Sequence, residues 1–295
     1  MAIMQNVAKC SERGRVLRTG PSAQSGPECS ERGNSHNSWS QPPALSPTFA
    51  PRLPASTVGI MHSNEDKTPA DQVSGHRDPD GEAPWAMQLV VNVEKTAKPS
   101  ATAVLEAAAR ATVYLMASPE AQPEGPWGPS VDRWLQGRIR KIVRRARGQE
   151  WSRVCELDGV TVGHRNAVVR AFVPCPTDAV PSAIAKLQVK GLDLEDPDRS
   201  AALDVPSGGL LIAMDPTAQI SVGKAAAQAA HASTVAWLDM PGHVKEAWRC
   251  AGFPLRVVHP AQEEFSSLVP TCQVHIVDAG FTELQGPART CIARW

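Results

Sequence analysis

Val222–Leu238, VGKAAAQAAHASTVAWL, decides the fold. Alanine dominates it, and alanine is the strongest helix former. At about 3.6 residues per turn, Lys224, Gln228 and His231 stand at i, i+4 and i+7 and form one polar stripe. The apolar run GGLLIAM, Gly208–Met214, precedes it and reads as a buried strand. The loop between them ends at Ser221, a residue type suited to an N-cap. A strand, a loop and a helix opening with Gly223 and Lys224 can bind an anion, because free N–H groups and a lysine converge there. Taken alone, the stripe also fits an alanine-rich helix packed on a sheet.

Working outward, the order strand, loop, alanine-rich helix occurs twice. AMQLVVNV (Ala86–Val93) and ATAVLEAAARATVYLM (Ala101–Met116) precede GGLLIAM and the second helix in the same arrangement. After the first pair, Ser130–Arg147 is predicted as a second helix. Its C-terminal half carries Arg138, Arg140, Lys141, Arg144, Arg145 and Arg147 with no intervening acid. A hairpin is predicted over Val160–Val162 and Ala167–Val173, then a short helix over Asp178–Lys186 and a strand over Leu187–Val189. After the second pair come a helix (Pro241–Cys250), a strand (Phe253–His259), a short helix (Ala261–Leu268) and strands at Cys272–Val277 and Arg289–Ala293. The expectation is an α/β fold of two tandem layered units with mixed sheets, a diverged internal duplication. Residues 1–84 form a disordered tail, 85–194 the first copy, 195–207 an acidic, proline-bearing linker and 208–295 the second copy. The tail is rich in Ser, Pro, Gly and Asn and has no apolar period. It reads either as part of the product or as sequence upstream of a start at Met61 or Met87.

The chain has 295 residues and zero formal net charge, so any nucleic-acid contact must come from a local patch. Its seven cysteines are scattered, odd in number and without a CxxC pair. That argues against a disulfide framework or structural zinc and makes a reduced, cytoplasmic setting the default. No run is apolar enough to span a bilayer.

Two short signals carry the chemistry: GKAAAQAAHA (Gly223–Ala232) and VDAGFTEL (Val277–Leu284). A carboxylate at a strand end, facing a helix-borne lysine and histidine, can form a site in an open α/β sheet. Lys224 can hold a phosphate or an oxyanion, Asp278 can position water, and the Thr282 hydroxyl can both donate and accept.

Gly223, Lys224, Ala227, Gln228, His231 and Ala232, followed by Asp278, Ala279, Gly280 and Thr282, resemble the peptidyl-tRNA hydrolase 2 family over about residues 208–295. The resemblance implies hydrolysis of the ester joining a peptide to tRNA, without metal or organic cofactor. It implies Lys224, Asp278 and Thr282 as the catalytic set, with Gly223, Gln228 and His231 binding or orienting substrate. Three departures stand out: a long Asp215–Lys224 loop, Met214 where the family has an arginine, and no final helix. Under the repeat alignment the first copy has lost the chemistry. Ala103 stands for Lys224, Ala107 for Gln228, Arg110 for His231, Asp193 for Asp278 and Pro197 for Thr282. Family members pair as dimers, so the inert copy is expected to serve as a built-in partner in a pseudo-dimer. With tRNA as the partner, Arg138, Arg140, Lys141, Arg144 and Arg145 are expected on the acceptor-stem backbone. The alternatives are a non-catalytic RNA-binding protein that keeps the fold, and an esterase acting on another acylated tRNA.

Overall fold

Two alanine-rich helices packed against each other occupy the centre of the fold in the computed structural model. The structure describes the backbone of residues 15–19, and residues 82–197, 199, 202–280 and 283–295. Met1–Pro27 and Arg77–Trp295 belong to one compact unit, and the other, Glu28–His76, lies outside the described residues.

The first sheet contains β1 (Arg15–Thr19), β2 (Trp85–Asn92), β3 (Arg140–Ala146), β4 (Gly159–His164), β5 (Ala167–Phe172) and the short β6 (Cys175–Pro176). Its order is β1-β4-β5-β2-β3, with β6 beside β2. β1 falls inside the segment expected to be a disordered tail and pairs in parallel with β4. The rest of that tail, up to residue 81, lies outside the described residues. The helices of this half are α1 (Ala101–Met116), α2 (Gly128–Leu135), α3 (Gly148–Cys155) and α4 (Ser182–Ala185). The second sheet contains β7 (Leu210–Met214), β8 (Leu255–Val258), β9 (Val274–Asp278) and β10 (Ala288–Arg294), in the order β8-β7-β10-β9. Its helices are α5 (Val222–Asp239), α6 (Gly242–Cys250) and α7 (Gln262–Leu268).

The expected α/β class is therefore found, with two mixed sheets. In each sheet one inner strand has a parallel neighbour on one side (β2 with β3, β7 with β8) and an antiparallel one on the other (β5, β10). That antiparallel strand pairs in turn with β4 or β9. Ser100 caps α1 by accepting from the Ala103 N–H, and Ser221 caps α5 by accepting from the Lys224 N–H. The next helix in each half buries a tryptophan, Trp134 or Trp248. Its indole N–H donates at 2.9 Å to the Arg140 or Pro254 carbonyl, just where the following strand begins. Ile139 and Phe253, each one residue before that carbonyl, take φ of 43° and 55°. This left-handed backbone is uncommon outside glycine and disfavours bulky side chains.

That turn overturns one expectation. The basic stretch is not the second half of a helix. The helix ends at Leu135, and Arg140–Ala146 is the edge strand β3, parallel to β2. The predicted strand at Leu187–Val189 is reduced to one bridge between Gln188 and Arg145, and the helix predicted over Asp178–Lys186 to Ser182–Ala185. A further correction concerns sulfur: Cys155 and Cys250 are disulfide-bonded, whereas Cys175, Cys272 and Cys291 are free. Sequence spacing does not exclude bridges between segments that folding brings together.

One apolar core runs through both halves, from Met87 and Leu105 to Ala229 and Ile276. Small side chains let α1 and α5 approach closely, and the Ser233 hydroxyl donates at 3.0 Å to the Ala109 carbonyl across that contact. Each central helix also meets the edge strand of the other half, α5 against β3 and α1 against β8. There Arg110 donates to the Leu255 carbonyl, and the Glu106 carboxylate accepts from the Val257 N–H. Among the described residues, no helix is long and apolar enough to cross a membrane.

Candidate functional site

The end of β9 and the first turns of α5 bring three predicted side chains together. Lys224 Nζ lies 2.8 Å from Asp278 Oδ2, and both side chains are largely shielded, 16% and 15% exposed. Gln228, one helical turn after Lys224, donates from Nε2 to the same oxygen at 2.7 Å. Asp278 Oδ1 accepts from the Gly280 N–H at 2.9 Å. Gly280 has φ 80°, and a Cβ there would stand 2.3 Å from the Gly286 carbonyl carbon, so the turn after Asp278 requires glycine. Burial alone would raise the Asp278 carboxyl. The hydrogen bonds from Lys224, Gly280 and Gln228, together with the Lys224 charge, outweigh it and hold the group below the usual carboxylate range.

Gly223 lies in the first turn of α5, beside the Val189 carbonyl of the other half. The anion seat expected at this helix start is already filled. Glu283 accepts from the Ser221 N–H at 2.6 Å and from its hydroxyl at 2.8 Å. A carboxylate is favoured there by the helix dipole and by the unbonded N–H groups. Nothing in the sequence marks Glu283, because it follows the turn by a spacing that no capping motif fixes. Thr282 lies outside the described residues.

His231 shares the stripe but not the cluster. It is half-buried within electrostatic reach of Lys141 on β3. Burial drives its imidazole down to about 3, the Lys141 charge adds to that, and Asp278 opposes it, so the ring is neutral at pH 7.

The five cations expected on a helix are spread along the strand and the turn before it. Arg138 is exposed ahead of it. Arg140 opens it, with its carbonyl taken by Trp134. Lys141 is turned inward, 4.8 Å above the Trp134 ring, and donates to the Ile139 carbonyl; burial lowers its ammonium well below an ordinary lysine. Arg144 bonds Gln88 and the Ala185 and Leu187 carbonyls. Arg145 bonds Gln188 and the Lys190 carbonyl. These side chains form no single phosphate-binding stripe.

The first half holds a different cluster at the matching place. Ala171 and Ala293 pair with Leu89 and Ile212 on their inner strands and with Val160 and Val274 on their outer ones. Counting along the outer strands, His164 then stands where Asp278 does. Asp193, expected there from sequence, lies instead in the connection between the halves. His164 Nε2 is 2.6 Å from Glu106 Oε2 on α1, and Arg165 is 3.6 Å from the same oxygen. The polarity is reversed: here the helix supplies the acid and the strand end the base. Among the described residues, no three His, Cys, Asp or Glu side chains are grouped to hold a metal.

Comparison with models of known protein families, with curated proteins and with solved structures finds no match to this chain.

Proposed function

We propose that this protein hydrolyses the ester bond of peptidyl-tRNA, releasing peptide and free tRNA. The observation that supports this reading most is the 2.8 Å Lys224–Asp278 contact, with Gln228 and Gly280 on the same carboxylate. A carboxylate offers about four lone-pair sites, and three are taken, which leaves one for a water. Held below its ordinary pKa, Asp278 is ionised at neutral pH and is a weak base, suited to orienting that water. The water attacks the ester carbonyl, and the Lys224 ammonium stabilises the oxyanion that develops. Collapse of the tetrahedral intermediate expels the ribose hydroxyl, and the peptide leaves as a carboxylate. Thr282, in this reading, steadies the water or the ester. The first half acts as an inert built-in partner. Its matching strand order, serine caps, tryptophans and positive-φ residues support a pseudo-dimer born of duplication.

Lys224→Ala is expected to slow peptide release from purified peptidyl-tRNA by roughly two to three orders of magnitude. Near-normal turnover would remove Lys224 from the mechanism. A second reading, an RNA-binding protein without turnover, is favoured by one observation: Glu283 occupies the start of α5, where substrate charge would otherwise sit. RNA binding by the wild-type protein with no release of peptide would establish it.

A further inference from the structure

Three cavities follow one another beside the starts of the two central helices. The largest, about 710 Å³, is bounded by Ser100 and Ser221, the caps of α1 and α5, and reaches Val222, two residues before Lys224. It shares Lys98 and Leu192–Leu194 with a second cavity of about 240 Å³, which adds Lys95, Arg145 and Arg147. That one shares Val93 and both arginines with a third, about 200 Å³, which adds Lys186. Shared walls make these one groove. Its two outer cavities carry the cations Lys95, Lys98, Arg145, Arg147 and Lys186 against the acids Glu94, Glu150 and Asp193. Arg145 is fixed by its bonds to Gln188 and Lys190 and stiffens the wall. Lys95, Lys98, Arg147 and Lys186 are exposed, and among the described residues no carboxylate takes up their charge. None of these four belongs to the set that the sequence assigned to RNA.

We propose that this groove holds the phosphate backbone of a single-stranded RNA end. Its outer, cationic part grips phosphates, and the large chamber takes the terminal nucleoside next to Lys224. The narrow outer cavities exclude a duplex, whereas a single strand can thread them with its phosphates on lysine and arginine. The position of the ester rests on the hydrolase reading, but the RNA contact does not.

The test is fluorescence anisotropy with a short, unacylated, single-stranded oligoribonucleotide across a salt series. The variant Lys98→Ala/Arg147→Ala/Lys186→Ala is expected to bind at least about tenfold more weakly and to lower the salt slope by about two, as loss of three phosphate contacts requires. Arg153→Ala, which removes an exposed cation off the groove, is expected to change neither. An unchanged slope in the triple variant, an equal loss in the control, or equal competition by duplex RNA would overturn the groove. Each leaves the hydrolase reading standing if wild-type protein still releases peptide. Conversely, groove-dependent binding without any turnover retains the groove and removes the hydrolase.

Discussion

Asp278→Asn tests the site most directly, because the side chain keeps its shape and loses only its charge and one acceptor. The carboxylate accepts from Lys224 and Gln228 on one oxygen and from Gly280 on the other. An amide must place its NH₂ toward one set. In one orientation it confronts Lys224 and Gln228 and forfeits two bonds. Flipped, it confronts the Gly280 N–H and forfeits one, and the two that remain lose their charge assistance. Charge-assisted bonds contribute about 1.5–3 kcal/mol and neutral ones about 1 kcal/mol. Discounting for the partial exposure of both side chains, the expected cost is about 2 kcal/mol. That corresponds to a fall in Tm of about 4–8 °C for a chain of this size.

Thermal unfolding measures this cost, and a double-mutant cycle with Lys224→Met isolates the pair. The coupling expected is about 1–2 kcal/mol, between the values for exposed and fully buried pairs. Peptide release should fall by at least about a hundredfold in Asp278→Asn, because the water loses its charged acceptor. A variant as stable as wild type, with coupling below about 0.5 kcal/mol, would refute the cluster as an energetic unit. Full activity in the same protein would refute its role in the reaction.

Two further outcomes follow from single groups. His231 has a folded pKa of about 3, below its unfolded value of about 6.5, so between those values the unfolded chain binds the extra proton. Stability is therefore complete above about pH 6.5 and falls as the medium is acidified, by about 2 kcal/mol between pH 7 and pH 5; urea unfolding of His231→Gln should show a smaller loss, and an identical one would sink the assignment. Trp248→Phe removes the indole N–H from the Pro254 carbonyl, which keeps its bond from the Leu210 N–H, so the lost hydrogen bond costs about 0.5–1.5 kcal/mol; an unchanged denaturant midpoint would show that this bond does not anchor β8.

The parts legible from sequence were those where local preference and tertiary role agree. α5 declared itself through alanine content and Ser221, and Asp278 through its place at the end of an apolar strand. The basic stretch RKIVRRA misled because arginine and lysine are good helix formers, and propensity is a weak prior. What makes it a strand is non-local: β2 offers a parallel partner, and Ile139 turns the chain at a backbone angle that no helix contains. A repeat alignment along the chain misses His164 for a related reason: its equivalence with Asp278 runs through strand pairing across the sheet.

The polar stripe itself divides between two tasks. Lys224 and Gln228, on the first turns of α5, face the end of β9 and meet Asp278. His231, less than a turn further on, is already half-buried within electrostatic reach of Lys141 from the other half. One helix thus passes from the site into the contact between the halves within the reach of three side chains. Its axis cannot shift against β3 without moving Lys224 relative to Asp278. The first half, whatever chemistry it lacks, therefore bears on the geometry of the pair: α5 is seated by β3 on one side and by its own sheet on the other.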